Sequence, residues 1–251
     1  MKNISAISLL ALAVGACTQD ARKTVIASAQ DCEAFDAAAL GAENATTRWV
    51  EAAEATPAYC EISATLSPVE GSVIGVVYRL PKQWNGKLLG LGGGGWAGNL
   101  TMMSAQDGLS KGYATMQTDG GNEGTDVWAN SWVAERPASA EDFSHRAVHE
   151  MTVTGKQVAA SFYGEEHDRA YFQCCSTGGR MALMEAQRYP DDYDAIIAGA
   201  PVYTLQVQTS SILRNQNFAR EGGAGGFTAE QLQMVQSAVL NQCDAADGLK
   251  D

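Results

Sequence analysis

Apolar and polar positions follow two rhythms along the chain. Tyr59 to Pro68 and Ser72 to Pro81 are short runs rich in Val and Ile, each closed by proline, and predict strands. Asn85 to Gly95 reads as a turn, a short apolar strand and a glycine run, and a further strand ends near Thr118. The rhythm then changes. Asp142 to Gly164 repeats apolar residues at helical spacing and closes on a glycine C-cap. Strand Ala170 to Cys174, helix Gly178 to Tyr189 and strand Asp194 to Pro201 follow. Strands alternating with helices predict an α/β protein with a mainly parallel sheet. Residues 18–45, polar and rich in alanine, predict a tether and a short helix. Glu221 to Gly226 predicts a flexible hinge before a helix that opens at Thr228, with Glu230 and Gln231 in its first turn. No internal repeat is visible.

Composition adds two constraints. The 251 residues carry a net charge of −12 and no cluster of Lys and Arg, which argues against a nucleic-acid partner. The first residues, MKNISAISLLALAVGAC, join a basic Lys2 to an apolar run too short to span a bilayer, the form of a signal peptide. AVGAC also resembles a bacterial lipobox, with Val14 where Leu is commoner. Two readings follow: Cys17 as a lipidated new N-terminus attached to a membrane, or plain secretion. Either places the mature protein outside the cytoplasm, where thiols oxidise. Cys32 and Cys60 are then the expected local disulfide. Setting Cys17 aside, Cys174, Cys175 and Cys243 bring the cysteines to an odd number, which requires an unpaired thiol or a partner outside this chain. No C-x-x-C pair is present to support metal binding by cysteine.

Chemistry concentrates at Cys174-Cys175-Ser176-Thr177-Gly178, between the predicted strand and helix. A serine on a tight strand-to-helix turn flanked by small residues has the form of a nucleophile elbow, G-x-S-x-G, with cysteine in place of the first glycine. The competing reading is a serine that only caps a helix. The glycine run Gly92 to Gly95 shifts the balance towards catalysis. Such a loop can direct an N–H from Gly94 or Gly95 at an oxyanion, beside the N–H of Thr177. A phosphate cradle is discounted, because no Lys-Ser/Thr follows the glycines. His145 and His149, four apart on one helix face, lack a third ligand and read as structural, and His167 reads as solvated in a charged loop. A thiol nucleophile at Cys174 or Cys175 is the poorer choice, since oxidation would cap it.

CSTGGRMALMEAQRYPDDYDAIIAGAP, together with GGGGWAG, TDGG and DFSHRAVHEMT in the same order, resembles the tannase and feruloyl esterase family, which includes a mono(hydroxyethyl) terephthalate hydrolase. The resemblance covers most of Cys60 to Asp251. It implies an α/β-hydrolase fold with a large inserted lid, and a Ser-His-Asp esterase acting on small aromatic esters without a catalytic cofactor. It implies that Cys175 pairs with a cysteine beside the catalytic histidine. CDAADGLKD resembles the start of the family's calcium loop, with ligands at Asp244, Asp247, the Leu249 carbonyl and Asp251. The expected organisation is a signal peptide at 1–17, a tether and helical segment at 18–58, the first part of the hydrolase domain at 59–205 and the start of the lid at 206–251.

α/β-Hydrolases order their triad Ser, acid, His. All three histidines precede Ser176, and no cysteine remains to pair with Cys175 or Cys243. The chain is therefore expected to be the N-terminal portion of a longer enzyme, inactive alone because it lacks triad Asp and His. The alternative is a non-catalytic exported lipoprotein that binds aromatic compounds or sugars on the same scaffold.

Overall fold

The computed structural model describes residues 24–36, 41–220 and 226–247. In chain order the elements begin with β1 (Val25–Ile26), α1 (Ala29–Ala34), β2 (Glu43–Val50), β3 (Tyr59–Leu66), β4 (Ile74–Pro81), β5 (Gln83–Trp84) and β6 (Lys87–Leu91). They continue with α2 (Met102–Ser110), β7 (Ala114–Thr118), α3 (Trp132–Glu135), α4 (Pro137–Glu141), a π-helical turn at Asp142–Arg146 and α5 (Ala147–Tyr163). Last come β8 (Arg169–Cys175), α6 (Thr177–Arg188), β9 (Ala195–Gly199), α7 (Leu205–Ala219) and α8 (Ala229–Asp247).

Seven strands form one sheet in the order β2-β3-β4-β7-β6-β8-β9. The ladders are antiparallel from β2 to β7 and parallel from β7 to β9. β3, β7, β6, β8 and β9 thus run one way, and β2 and β4 the other. β7 is buried along its whole length, as a central strand covered on both faces must be. Its polar Gln117 is matched by the buried Arg79, whose Nη1 donates to Gln117 Oε1 at 2.5 Å while Nε donates to Glu61 at 2.8 Å. α5 and α6 pack on the sheet through small and apolar residues. Gly155 of α5 lies where a Cβ would stand 2.8 Å from the Tyr78 ring, so only glycine lets the helix approach.

Helix α5 ends on Gly164 in the left-handed region (φ 69°), the expected glycine cap. Its first turn departs from expectation, because Asp142–Arg146 is π-helical. Asp142 accepts from Ser72 Oγ at 2.8 Å and from Arg146 Nε at 2.5 Å. Those two partners lie on either side of the buried carboxylate. The segment expected as tether and helix contains α1, but also the edge strand β2. Its alternation is half-buried and polar (Thr46, Arg48), so it lacks the apolar face by which strands are recognised. α8 opens as expected, with Thr228 N donating to Gln231 Oε1 at 2.9 Å and Gln231 N to Thr228 Oγ1 at 3.2 Å. The expected hinge falls mainly on residues outside those described.

Cys32 and Cys60 form the expected disulfide, with Cα atoms 5.5 Å apart and both side chains fully buried. It ties α1 to β3. Replacing both by alanine is expected to lower the unfolding free energy by about 2–4 kcal/mol in a urea titration, since such cross-links restrict the unfolded chain. Unchanged stability would show that α1 is not anchored through this bond. Cys174, Cys175 and Cys243 have no disulfide partner among the described residues, and the partners expected for Cys175 and Cys243 lie outside this chain.

α6 itself carries a buried acid. Glu185 is fully buried, close to the Asp192 carboxylate and without an ion pair among the described residues that would stabilise its charge. Burial, reinforced by the neighbouring Asp192 charge, pushes its pKa up to about 9. The folded protein therefore keeps the proton that the unfolded chain releases above its ordinary value of 4.5. Stability from this site is complete below that value and falls as pH rises towards 9, by up to about 1.4 kcal/mol per pH unit. Glu185→Gln should melt at a higher temperature than wild type at pH 8, with the gap closing at pH 5. Parallel melting curves at both pH values would contradict the buried neutral acid.

Candidate active site

Ser176 stands between β8 and α6 with φ 61° and ψ −124°, a region that non-glycine residues seldom enter. The surroundings hold it there. Ser176 N donates to Gly199 O at 3.1 Å, and Ser176 O accepts from Val202 N at 3.2 Å and Arg180 N at 3.1 Å. The end of β9 and the loop after it thus clasp the serine backbone on both sides, and that loop is itself strained at Ala200 (φ 37°). The serine side chain is exposed, whereas Thr177 is buried. This is the geometry expected of an elbow, and it sets aside the capping reading: Ser176 makes no side-chain cap hydrogen bond to α6.

Small residues are required by contact. A Cβ on Gly178 would overlap Cys174 Sγ and Cβ and stand 3.0 Å from Gly93 O. One on Gly92 would lie 2.6 Å from Gly178 Cα, and one on Gly179 would overlap Gly199 O. Cys174, in place of the first elbow glycine, is half-buried with its thiol against Gly93 O, and its side chain fills the space that Gly178 leaves open.

The glycine loop lies directly against the elbow. Gly178 N donates to Gly93 O at 2.9 Å, and Asn99 Nδ2 donates to Gly92 O at 2.7 Å. Gly95 has φ 58° and is packed against Val127, where a Cβ would stand 2.6 Å from the Val127 oxygen. Gly94 faces open space. Thr177 is the first residue of α6, so its N–H belongs to the amides that a helix leaves without an intrahelical acceptor. A cavity of about 410 Å³ gathers Ser176, Thr177 and Gly95 with Trp96, Trp128, Val202 and Leu205. A second, of about 790 Å³, adjoins it and shares Trp96, Asn130, Leu205 and Thr209. Sequence reasoning missed Trp96, Trp128 and the α7 residues; GGGGWAG held Trp96 in plain view, but nothing in the pattern aimed its ring.

The histidines are committed elsewhere. His145 Nδ1 bonds Tyr189 OH at 2.8 Å, and His149 Nδ1 bonds Asp192 Oδ2 at 2.7 Å while stacking on Tyr189 at 3.9 Å. Tyr189 follows the C-terminal end of α6, about 20 Å of helix from Ser176. The structural reading of both therefore holds. His167 is not solvated as expected: it is half-buried, its Nδ1 has no hydrogen-bond partner among the described residues, and burial lowers its pKa.

The acidic segment also differs from expectation. Asp244 and Asp247 lie within α8, not in a loop, because helix formation runs on through Cys243. Leu249, Asp251 and, at the other end, Cys17 lie outside the described residues. Among the described residues no three metal-ligating side chains converge. No helix among them is long and apolar enough to cross a membrane.

Several known proteins are similar to this chain. A mono(2-hydroxyethyl) terephthalate hydrolase of Piscinibacter sakaiensis is 33% identical over 237 residues, covering 81% of this chain and 39% of that protein. A probable feruloyl esterase of Arthroderma benhamiae is 32% identical over 207 residues, covering 76% and 37%. Among solved structures, feruloyl esterase B from Aspergillus oryzae superposes with a TM-score of 0.75 at 29% identity, covering 89% of this chain and 47% of that one. The chain thus spans less than half the length of these relatives, within an α/β-hydrolase fold. The family model for tannase and feruloyl esterase matches residues 60–251, most of the chain, and the chain belongs to that family.

Proposed function

We propose that the protein is a serine carboxylesterase that hydrolyses small aromatic esters. The observation that carries this reading is the strained Ser176 backbone set against the glycine loop and opening into a cavity with indole walls. Ser176 Oγ attacks the ester carbonyl, and its proton passes to a general base outside the described residues. The carbonyl oxygen becomes an oxyanion held by the N–H groups of Thr177 and of Gly94 or Gly95. The alcohol leaves, and water releases the acid from the acyl-serine. The feruloyl esterase and terephthalate-ester hydrolase relatives support an aromatic acyl group, as does the Trp96 and Trp128 lining.

Export by the N-terminal segment, with lipidation at Cys17, belongs to the same proposal, as does a structural calcium ion bound through Asp244, Asp247, Leu249 and Asp251. No catalytic step runs through that ion. The test is acid release from methyl ferulate, methyl gallate and mono(2-hydroxyethyl) terephthalate by the protein expressed from its complete gene. Release well above buffer from at least one is expected. No release from any aryl ester would favour the non-catalytic binding reading.

A further inference from the structure

Trp96 follows the glycine loop and is the one aromatic residue that lines both cavities at the site. Its ring lies nearly parallel to Phe143, with centroids 5.4 Å apart and planes 15° apart, and meets Trp132 edge-on at 6.3 Å. Phe143 is buried and carries the Arg180 guanidinium 4.9 Å from its centroid. Arg180 also donates from Nη2 to Phe143 O at 2.8 Å and from Nη1 to Ser144 O at 2.7 Å. Indole, phenyl and guanidinium are thus linked in one stack rooted in α6, two turns or less from Ser176. The Trp96 backbone is fixed as well: its N–H donates to Val127 O at 2.9 Å, and its carbonyl accepts from Asn122 Nδ2 at 2.6 Å. A half-buried indole held so firmly, between two chambers, serves as a wall against which a planar ligand can stack.

We propose that Trp96 is a specificity-determining residue that favours esters with two bulky arms, an arylacyl arm in the Ser176 chamber and a second aromatic arm in the larger chamber. Phe143 and Arg180 are positioning residues that hold the indole. The proposal rests on the esterase reading for the orientation of the arms, but its recognition step is binding alone. The volumes agree with this division. About 410 Å³ accommodates one substituted ring, and about 790 Å³ leaves room for a second that a methyl ester would leave empty.

Unreactive amides separate binding from hydrolysis. Calorimetry with the protein from the complete gene would compare the N-methyl and N-benzyl amides of 4-hydroxybenzoic acid. Wild type should bind the benzyl amide at least about tenfold more tightly, as one aromatic contact can supply. Trp96→Ala should reduce that preference below about threefold, and Trp96→Phe should restore part of it. Ser131→Trp, which fills only the larger chamber, should remove the benzyl gain and leave methyl-amide binding unchanged. Equal binding of the two amides by wild type would overturn the proposal. So would a preference that survives both Trp96→Ala and Ser131→Trp. Failure of the esterase reading would appear separately, as aryl-ester hydrolysis that Ser176→Ala leaves intact.

Discussion

Ser176→Ala is expected to lower the kcat for aryl-ester hydrolysis by at least about 10⁴-fold in the protein from the complete gene, with KM little changed. The magnitude follows from what the hydroxyl does. Removing a nucleophile abolishes the covalent route, and only binding and oxyanion stabilisation remain. KM should hold because Ser176 contributes one exposed hydroxyl to a cavity whose walls are Trp96, Trp128, Val202 and Leu205. The fold should hold too, because Ser176 is fixed by its backbone bonds to Gly199, Val202 and Arg180, none of which uses the side chain. Alanine retains those bonds at the same strained φ. Steady-state kinetics beside thermal melts would read both. A loss of activity accompanied by unfolding would assign Ser176 a structural role instead.

The second large effect concerns stability. Gly178→Ala should destabilise the fold by more than the roughly 1–3 kcal/mol usual for an overpacked site. The added methyl would overlap the Cys174 side chain and press on Gly93 O, the acceptor of the Gly178 N–H. Two routes of relief are closed. The helix cannot move outward without breaking the clasp on Ser176, and the glycine loop cannot retreat because Asn99 and Met181 hold it. By contrast Gly94→Ala adds a methyl into open space and should leave melting temperature nearly unchanged, within about 0.5 kcal/mol. Chemical denaturation of the two variants provides the comparison. Equal stability of Gly178→Ala and wild type would mean that the elbow is looser than these contacts require.

How much of this could be read from the sequence depended on whether local pattern or distant contact decided each feature. β3, β4, β8 and α6 were legible because apolar runs between proline and glycine punctuation leave few other choices. The elbow was legible because only small residues survive where Gly92, Gly178 and Gly179 meet their neighbours, and that restriction is written into the chain. β2 was not legible, since an edge strand with one half-buried face carries polar residues such as Thr46 and Arg48. The π-helical turn was hidden for a different reason: Ser72, far away in sequence, and Arg146 bond the Asp142 carboxylate within it. Reading Cys243 to Asp251 as a loop followed its resemblance to the family's calcium loop, yet α8 runs through Asp247, where Ala245 and Ala246 favour helix. The stack of Trp96, Phe143 and Arg180 joins residues from three separate segments, and no periodicity reports such a meeting.

The central claim is that Ser176 is the nucleophile, and covalent capture tests it most directly. The protein from the complete gene would be treated with a fluorophosphonate probe and its peptides mapped by mass spectrometry. A single adduct is expected on the peptide carrying Ser176, absent from Ser176→Ala and lost in parallel with aryl-ester hydrolysis. An active enzyme whose adduct lies on another residue, or that stays unlabelled while it turns over ester, would contradict it.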